Sequence, residues 1–374
     1  MSGKVYSDNM NILYVVSSLE KSGPNNVLLN IIKEVSINNK CSIITLSSEN
    51  NKSMLSEFEN CNIRIIQLNL NRNSNKKIYI SNLNKIIKDI TPDIIHSHGF
   101  RSDRYIKLIN KNKSFDHVTT LHNFPFDDYP RLYGIFRGIL LSIFHLYIIK
   151  SIKHKIACSY SIAKKYKMLH MNDISVIQNG VDTDEFKPIS KIEKDNLRKS
   201  LGLPLDKKIV ISTGALIRRK RPVKLIKAFR SGNWENKVLF IVLGDGKLFR
   251  KLEYYSNESI RILGLKKNIS EYLQASDIFI SNSKAEGLPM AMLEAAATGN
   301  TIVGSDIPPH KELRDLYLGK TILFNGQKTR TIINQINEAL SEKECCSNIS
   351  SDNLSSKIMA NKYLAYYRNM KVKK

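Results

Sequence analysis

Residues Ile280–Gly299 read ISNSKAEGLPMAMLEAAATG, and the order of residue types in this stretch decides the fold class. The preceding run Ala275–Ile280 (ASDIFI) has the apolar character of a buried parallel strand. After the loop, Pro289 suits the first turn of a helix, where its missing N–H would be unpaired in any case. Good helix formers continue through Leu293, Ala295, Ala296 and Ala297, and Gly299 supplies a left-handed stop. A strand ends, Glu286 and Gly287 pass over the carboxyl edge of a sheet, and a helix begins. In an open α/β sheet that edge is where ligands bind. The helix start also favours anionic oxygens through its free N–H groups. Glu294, set among Met290, Ala291, Leu293 and Ala295, reads either as a solvated or capping residue or as a ligand contact.

The spacing Glu286-Gly-Leu-Pro-x4-Glu294-Ala resembles the signature of the large family of retaining GT-B glycosyltransferases called family 4 or group 1. The resemblance implies two facing doubly wound Rossmann-like α/β domains. The nucleotide-sugar donor would be held mainly by the second and the acceptor mainly by the first. It further implies that Glu286 contacts the transferred sugar and Glu294 the ribose, with Gly287, Leu288 and Pro289 at the donor.

Upstream, Lys208–Ser212 (KIVIS) reads as a strand, followed by Thr213-Gly-Ala-Leu-Ile-Arg-Arg-Lys-Arg-Pro222 and a helix through Phe229. Such a run of cations is ordinarily a solvated face. At a sheet's carboxyl edge, a lysine can instead neutralise a departing diphosphate. The family pattern places a glycine, an arginine and, six residues after the glycine, a lysine. Gly214 and Lys220 fit it, whereas Ala215 stands at the arginine position, leaving Arg218 or Arg219 to supply that charge. Val238–Leu243 (VLFIVL) is another buried strand, and Gly244 after it is expected near the nucleotide. Ile260–Leu265 (IRILGL) follows, and in similar enzymes the backbone at Leu265 and Lys266 reads the base.

The first half repeats the strand-to-helix theme. Ile12–Val16 (ILYVV) leads to a turn at Gly23-Pro24 and a helix carrying Val27, Leu28, Ile31, Ile32 and Val35 on one face. Gly23 is either a plain turn residue or a contact to the donor diphosphate or acceptor. Cys41–Leu46 and Ile63–Leu68 read as strands, and Ile78–Ile90 as a helix. Asp93–Gly99 (DIIHSHG) is a strand that puts His96 and His98 on one face, half of a metal site in principle. No matching cluster or suitably placed Asp-x-Asp follows, so no metal is expected. The resemblance gives these two histidines acceptor-side or packing roles. Val118–His122 ends in a histidine that, by resemblance, faces the transferred sugar; the alternative is a histidine bonded to its own loop. Tyr129–Lys155 mixes apolar and basic residues. It reads as a helix lying on a membrane surface, with Arg131, Arg137, Lys150, Lys153 and Lys155 toward lipid phosphates, or as a buried helix.

Val176–Asp182 (VIQNGVD) resembles the phrase that closes the first domain in the family. The expected organisation is a first domain over 1–187, a linker over 188–207 and a nucleotide-sugar domain over 208–355. A last helix, within 356–374, crosses back to the first domain. The 374 residues suffice for two cores, and the 42% hydrophobic content fits a globular protein. A net charge of +24 points to anionic partners such as nucleotide diphosphates or anionic lipid. Nucleic acid is not expected, since no binding motif or basic–aromatic interleaving accompanies the charge. The five cysteines, including Cys345 and Cys346, show no CxxC spacing, which favours a reducing cytosol. The N-terminus lacks a signal-peptide shape, and Ile139–Ile149 is too short to span a bilayer.

These features predict a cytoplasmic enzyme, peripheral on the inner face of the membrane. It would transfer a hexosyl or N-acetylhexosaminyl group from a nucleotide sugar, UDP-linked by preference, with no further cofactor. The acceptor would be a lipid-linked glycan of bacterial surface polysaccharide. The competing readings are a GT-B epimerase, a glycosyltransferase-like protein with lost or partner-dependent activity, and a basic binder of anionic ligands.

Overall fold

The computed structural model describes residues 9–71, 75–110, 115–234, 237–317, 319–325, 328–341 and 352–371. The N-terminal residues through Asp8 and the pair Cys345–Cys346 lie outside these, so the readings made there stay with the sequence. The chain divides into two compact units, one of residues 1–180 with 356–374, the other of residues 181–355.

In the first unit the apolar runs become strands of one sheet, separated by helices. They are β1 (Asn11–Val16), α1 (Gly23–Val35), β2 (Lys40–Thr45), α2 (Leu55–Glu59), β3 (Arg64–Gln67), α3 (Lys76–Ile90), β4 (Ile94–His98) and α4 (Phe100–Ile109). Then come β5 (Asp116–Leu121), α5 (Pro125–Tyr133), α6 (Ile135–Ser151), β6 (His154–Ala157), α7 (Tyr160–Lys167) and β7 (Ile174–Val176). Every strand pair is parallel and the order is β3-β2-β1-β4-β5-β6-β7. Helices cover both faces of such a sheet, so β1 needs no polar alternation, and Ile12, Leu13, Tyr14 and Val15 are fully buried.

The second unit opens with α8 (Lys191–Ser200), β8 (Lys208–Thr213), α9 (Pro222–Ser231), β9 (Val238–Leu243), α10 (Phe249–Glu253), β10 (Ile260–Gly264) and α11 (Ile269–Ala275). It continues with β11 (Ile278–Ser281), α12 (Met290–Ala297), β12 (Thr301–Ser305), α13 (Pro308–Leu316), β13 (Thr321–Phe324) and α14 (Thr329–Ser341). Its parallel sheet has the order β10-β9-β8-β11-β12-β13. Phe240 of β9 stacks on Phe229 of α9 with centroids 3.9 Å apart. Burying a side chain of that size contributes about 1.5–3 kcal/mol. In both sheets the chain reverses its direction of growth once, between β1 and β4 and between β8 and β11. These switch points open crevices at the strands' carboxyl ends.

The last helix, α15 (Ser356–Lys371), belongs to the first unit and packs on α1. Its own Tyr367 and Tyr363 are fully buried, bonded to His96 Nδ1 (2.6 Å) and Thr120 Oγ1 (3.1 Å).

Four expectations change. The segment 188–207 is no linker. A Ser190–Glu193 capping box starts α8, and the division falls at Gly180–Val181. Asp277 holds α8 to the second unit, accepting from Lys194 Nζ (2.7 Å), Arg198 Nη2 (2.8 Å) and the Ile209 N–H (2.7 Å). Ala275 ends α11 and the strand starts only at Ile278, because Asp277 is used in that clamp. Pro289 is the N-cap rather than the first helical residue of α12. Tyr129–Lys155 is two helices, broken at Gly134 (φ +86°), a left-handed value that favours glycine. Its last lysine does not face lipid. Lys155 is buried in β6, donating to Asp173 Oδ2 (2.7 Å) and the Ile152 carbonyl (2.6 Å).

Candidate active site

The second unit gathers a charged cluster at its switch point. The turn after β8 depends on glycine. At Gly214 (φ +122°) an added Cβ would sit 3.0 Å from Lys220 Nζ, and at Gly244 it would lie 2.0 Å from the Gly214 carbonyl oxygen. Two strand ends and the lysine can therefore converge only because both positions lack a side chain. Residues Arg218–Lys220 form a short 3-10 turn, with the Lys220 N–H donating to the Ile217 carbonyl at 3.1 Å. The Lys284 N–H donates to the Arg219 carbonyl (2.9 Å), tying this turn to the loop that follows β11.

That loop presents Glu286, which is buried, with both carboxylate oxygens engaged. Oε1 accepts from Ser283 Oγ (2.7 Å) and lies 3.4 Å from Lys220 Nζ, while Oε2 accepts from Arg219 Nη1 (3.0 Å). Arg219 also donates to the Ala285 carbonyl. Burial works to raise the Glu286 pKa, but Lys220, Arg219 and the Ser283 hydroxyl outweigh it and bring it down to about 2. Beneath the loop, Ser305 Oγ donates to the Ser283 carbonyl (2.6 Å), and His310 Nδ1 lies 2.8 Å from the Ser305 carbonyl. Burial holds the His310 pKa down, to about 4, although Glu286 pulls it up. Ser283, Ser305 and His310 went unassigned in the sequence, and the S-N-S run before Glu286 is a weak signal for them.

Ala215 and Arg218 are exposed, whereas Arg219 makes the Glu286 contact. Glu294 is 7% exposed on α12, which excludes the solvated reading. Leu288 is buried in the Glu286 loop. The Gly244 N–H donates to the Gly264 carbonyl (2.8 Å), so Gly244 and the exposed Leu265 leave β9 and β10 side by side.

The first unit holds a cavity of about 410 Å³ at its own switch point, lined from the ends of β1, β4 and β5 and from α1, α4, α5, α6 and α7. Ser22 and Pro24 line it on either side of Gly23. Ser22 caps α1, its Oγ accepting from the Asn25 N–H at 3.4 Å, and Pro24 has no N–H to offer an anion. His122 and His98 line the cavity and bond to each other, Nε2 to Nδ1, at 2.9 Å. Burial lowers the pKa of both; His122 falls to about 4 despite the opposing pull of Asp103. His96 faces elsewhere, its nitrogens bonded to Tyr367 and Thr120 (2.8 Å). The His-x-His pair shares one face as its spacing requires, with centroids 4.3 Å apart, but three of its four nitrogens serve the fold and His122. Among the described residues no group of three or more His, Cys, Asp or Glu side chains is placed to hold a metal ion.

A second buried network meets the same cavity. Asp103 accepts from Ser97 Oγ (2.6 Å) and Thr119 Oγ1 (2.8 Å), and its other oxygen lies 3.1 Å from His145 Nε2. His145 Nδ1 is 2.8 Å from the Tyr129 hydroxyl. Asp103, Tyr129 and His145 stand on three different helices, and Ser97 and Thr119 on two strands, so no local motif announces them.

Two family models match the chain, "Glycosyltransferase Family 4" over residues 23–185 and "Glycosyl transferases group 1" over residues 193–354. The chain belongs to this glycosyltransferase family. Among its curated relatives, the O-antigen biosynthesis glycosyltransferase WclY of Escherichia coli is 28% identical, over 96% of this chain and 99% of that protein. An Escherichia coli UDP-Gal:α-D-GlcNAc-diphosphoundecaprenol α-1,3-galactosyltransferase is 30% identical, over 60% of each chain. The fold is GT-B: Anabaena HepE, solved with UDP and glucose, superposes with a TM-score of 0.79 at 16% identity, over 96% of this glycosyltransferase and 99% of that chain.

Proposed function

We propose that this glycosyltransferase moves a sugar from a UDP-sugar to a hydroxyl of a lipid-linked glycan during assembly of a bacterial surface polysaccharide, with retention at the anomeric carbon. The single observation that carries the reading is the cluster at the second unit's switch point in which the buried Glu286 meets the half-buried Lys220 and Arg219. In this reading the bond from the anomeric carbon to the diphosphate oxygen breaks as the acceptor oxygen bonds to that carbon. The acceptor's proton passes to the leaving phosphate. Lys220 and Arg219 stabilise the charge that develops there, with Arg219 doing the work of the arginine missing at Ala215. Glu286, fully ionised, receives hydroxyls of the transferred sugar. Glu294 takes the ribose, and His122 the sugar's far side. Gly214, Gly244 and Leu265 lie along the nucleotide, and no metal or further cofactor takes part.

The relatives' printed substrates support the acceptor class: one acts on a GlcNAc-diphosphoundecaprenol, another on an N,N'-diacetylbacillosaminyl-diphospho-undecaprenol. A surface suited to a bilayer accompanies it. Leu132, Ile135, Phe136, Leu140, Ile143 and Tyr147 are all exposed on α5 and α6, beside the exposed cations Arg131, Arg137, Lys150 and Lys153. No helix among the described residues is long and apolar enough to cross a membrane. The reading therefore has these helices resting on an anionic inner-leaflet surface.

The test is a thermal-shift and hydrolysis screen with UDP-, GDP- and ADP-sugars on wild type, Glu286→Ala and Lys220→Ala. One UDP-sugar should raise the melting temperature and be slowly hydrolysed by wild type alone. Binding of no donor, with affinity for polyanions that collapses in salt, would sink the reading in favour of a basic binder.

A further inference from the structure

Glu286 is drawn by two cations whose side chains are long and partly open to solvent. Arg219 Nη1 meets its Oε2 at 3.0 Å, and Lys220 Nζ lies 3.4 Å from its Oε1. A loop carboxylate between such partners keeps one position only if something fixed also holds it. That hold begins on another helix. His310 is fully buried in the first turn of α13, and its Nδ1 lies 2.8 Å from the carbonyl oxygen of Ser305 at the end of β12. Ser305 Oγ lies 2.6 Å from the Ser283 carbonyl oxygen, and Ser283 Oγ lies 2.7 Å from Glu286 Oε1. The ring is seated against the strand, since a Cβ added at Gly304 would come to 3.0 Å from Nδ1.

The acceptor in each link fixes where the proton sits. A carbonyl oxygen can only accept, so the Ser305 carbonyl requires a proton on His310 Nδ1. For the same reason the Ser305 hydroxyl gives its proton to the Ser283 carbonyl. An ionised carboxylate also only accepts, so the Ser283 hydroxyl donates to Glu286. Ser281 Oγ, 3.3 Å from Ser283 Oγ, is then the donor of that pair. Burial holds the His310 pKa down to about 4, so near neutral pH its one N–H is the one that Ser305 requires. Ser283, Ser305 and His310 are all buried, so a broken link leaves a polar group without a partner.

We propose that His310 is a positioning residue for Glu286, acting through Ser305 and Ser283 to fix the carboxylate against the pull of Arg219 and Lys220. The proposal rests on the glycosyl-transfer reading for what the placed carboxylate does. The hold itself does not depend on that reading.

The test separates a hold on Glu286 from general support of the fold. Asn at position 310 puts an amide N–H near the Nδ1 position, whereas Gln reaches toward the Nε2 position and leaves the Ser305 carbonyl without its donor. His310→Gln should lower kcat about 10- to 100-fold, as expected for a small misplacement at a reacting centre, with donor KM within about threefold. His310→Asn should recover most of that loss. Ser283→Ala and Ser305→Ala add no bulk, should fall in the same range, and carry the test if a variant at position 310 does not fold. His310→Gln combined with Ser283→Ala should lose no more than the worse single variant, because both act through one chain. Crystal structures give a readout free of catalysis. The Glu286 carboxylate should leave hydrogen-bond reach of Ser283 Oγ in His310→Gln and return in His310→Asn. A displaced carboxylate in a protein whose wild type turns over no donor would keep the hold and overturn only the transferase reading. Full activity in His310→Gln, additive losses in the double variant, or an unmoved carboxylate would overturn the hold.

Discussion

The two switch points use opposite electrostatics on the same scaffold. In the second unit, two cations close on a carboxylate pulled down to about 2, so fixed charge dominates the crevice. In the first unit, burial strips charge from His98 and His122, which add neutral hydrogen-bonding groups to a lining that also holds Glu20, Lys21 and Asp103. The difference matches the two halves of a glycosyl transfer: a departing diphosphate needs fixed charge, whereas polyhydroxyl groups need direction without charge. It also separates what substitutions should do on each side. Lys220→Ala should give the largest effect, about a 10²- to 10³-fold loss of kcat, as for removal of one donor from a site where charge develops. Donor KM should change far less. A loss confined to KM would mean that the cluster binds ground state and transition state alike, and the contrast with the first unit would weaken.

Acid separates the two sites by where it acts. Glu286 has a folded pKa of about 2 against 4.5 for the free group. Its stabilisation is complete above 4.5 and is lost as pH falls toward 2, on the order of 3 kcal/mol in all. The gap in unfolding free energy between wild type and Glu286→Gln should therefore be flat above pH 5 and narrow below 4.5. His122 has a folded value of about 4 against 6.5. The unfolded chain binds the extra proton first, so stability falls as pH drops from 6.5 to 4 and is level on either side. His122→Gln should reduce the slope of the wild-type curve in that higher window, which His117 and His310 share, and leave the lower one untouched. Denaturant melts at half-unit pH steps check both, and a single shared window would erase the distinction.

A smaller effect is expected at the α5–α6 surface. Phe136 and Ile135 are 79% and 76% exposed, so Phe136→Ser with Ile135→Ser should shift stability by no more than about 0.5 kcal/mol per site. Sedimentation with anionic vesicles should nonetheless fall several-fold, and Arg137→Glu should weaken binding further and reduce its salt dependence. Binding unchanged by all three substitutions would remove this surface from the membrane reading.

Much of this was legible because parallel sheets write themselves as apolar runs followed by turns. Val238–Leu243 and Thr301–Ser305 have the same bounds in sequence and structure. The Glu286 loop was legible because a carboxylate between a strand and an apolar helix is conspicuous. What stayed hidden was built from long-range pairing. Lys194 and Arg198 look like a solvated linker until Asp277, far along the chain, collects them. Lys155 reads as a surface cation until Asp173 and the Ile152 carbonyl bury it. Asp103, Tyr129 and His145 are unremarkable one at a time, because only the packing of α4, α5 and α6 joins them. His98 looked like a lesser partner of His122, and its unpartnered nitrogen is visible only when burial is known.

The smallest expected change concerns the departure at Ala215. Its side chain is exposed, the exposed Arg218 follows three residues later, and Arg219 already reaches Glu286 at 3.0 Å. An arginine added at 215 would bring a third charge to a cluster with one carboxylate, in a position open to solvent, where each added charge is worth little. If Arg219 does the work of the missing residue, Ala215→Arg should change kcat/KM by less than about threefold, since an exposed charge adds at most a fraction of a kcal/mol. In an Arg219→Ala background the same substitution should recover more than it adds in wild type, by a factor of a few at most. A gain of tenfold or more in wild type would show instead that Arg219 is spent on holding Glu286 and that the diphosphate lacks a counter-charge. Steady-state kinetics on the four proteins of this cycle decide between the two, because coupling between positions 215 and 219 is itself the quantity measured.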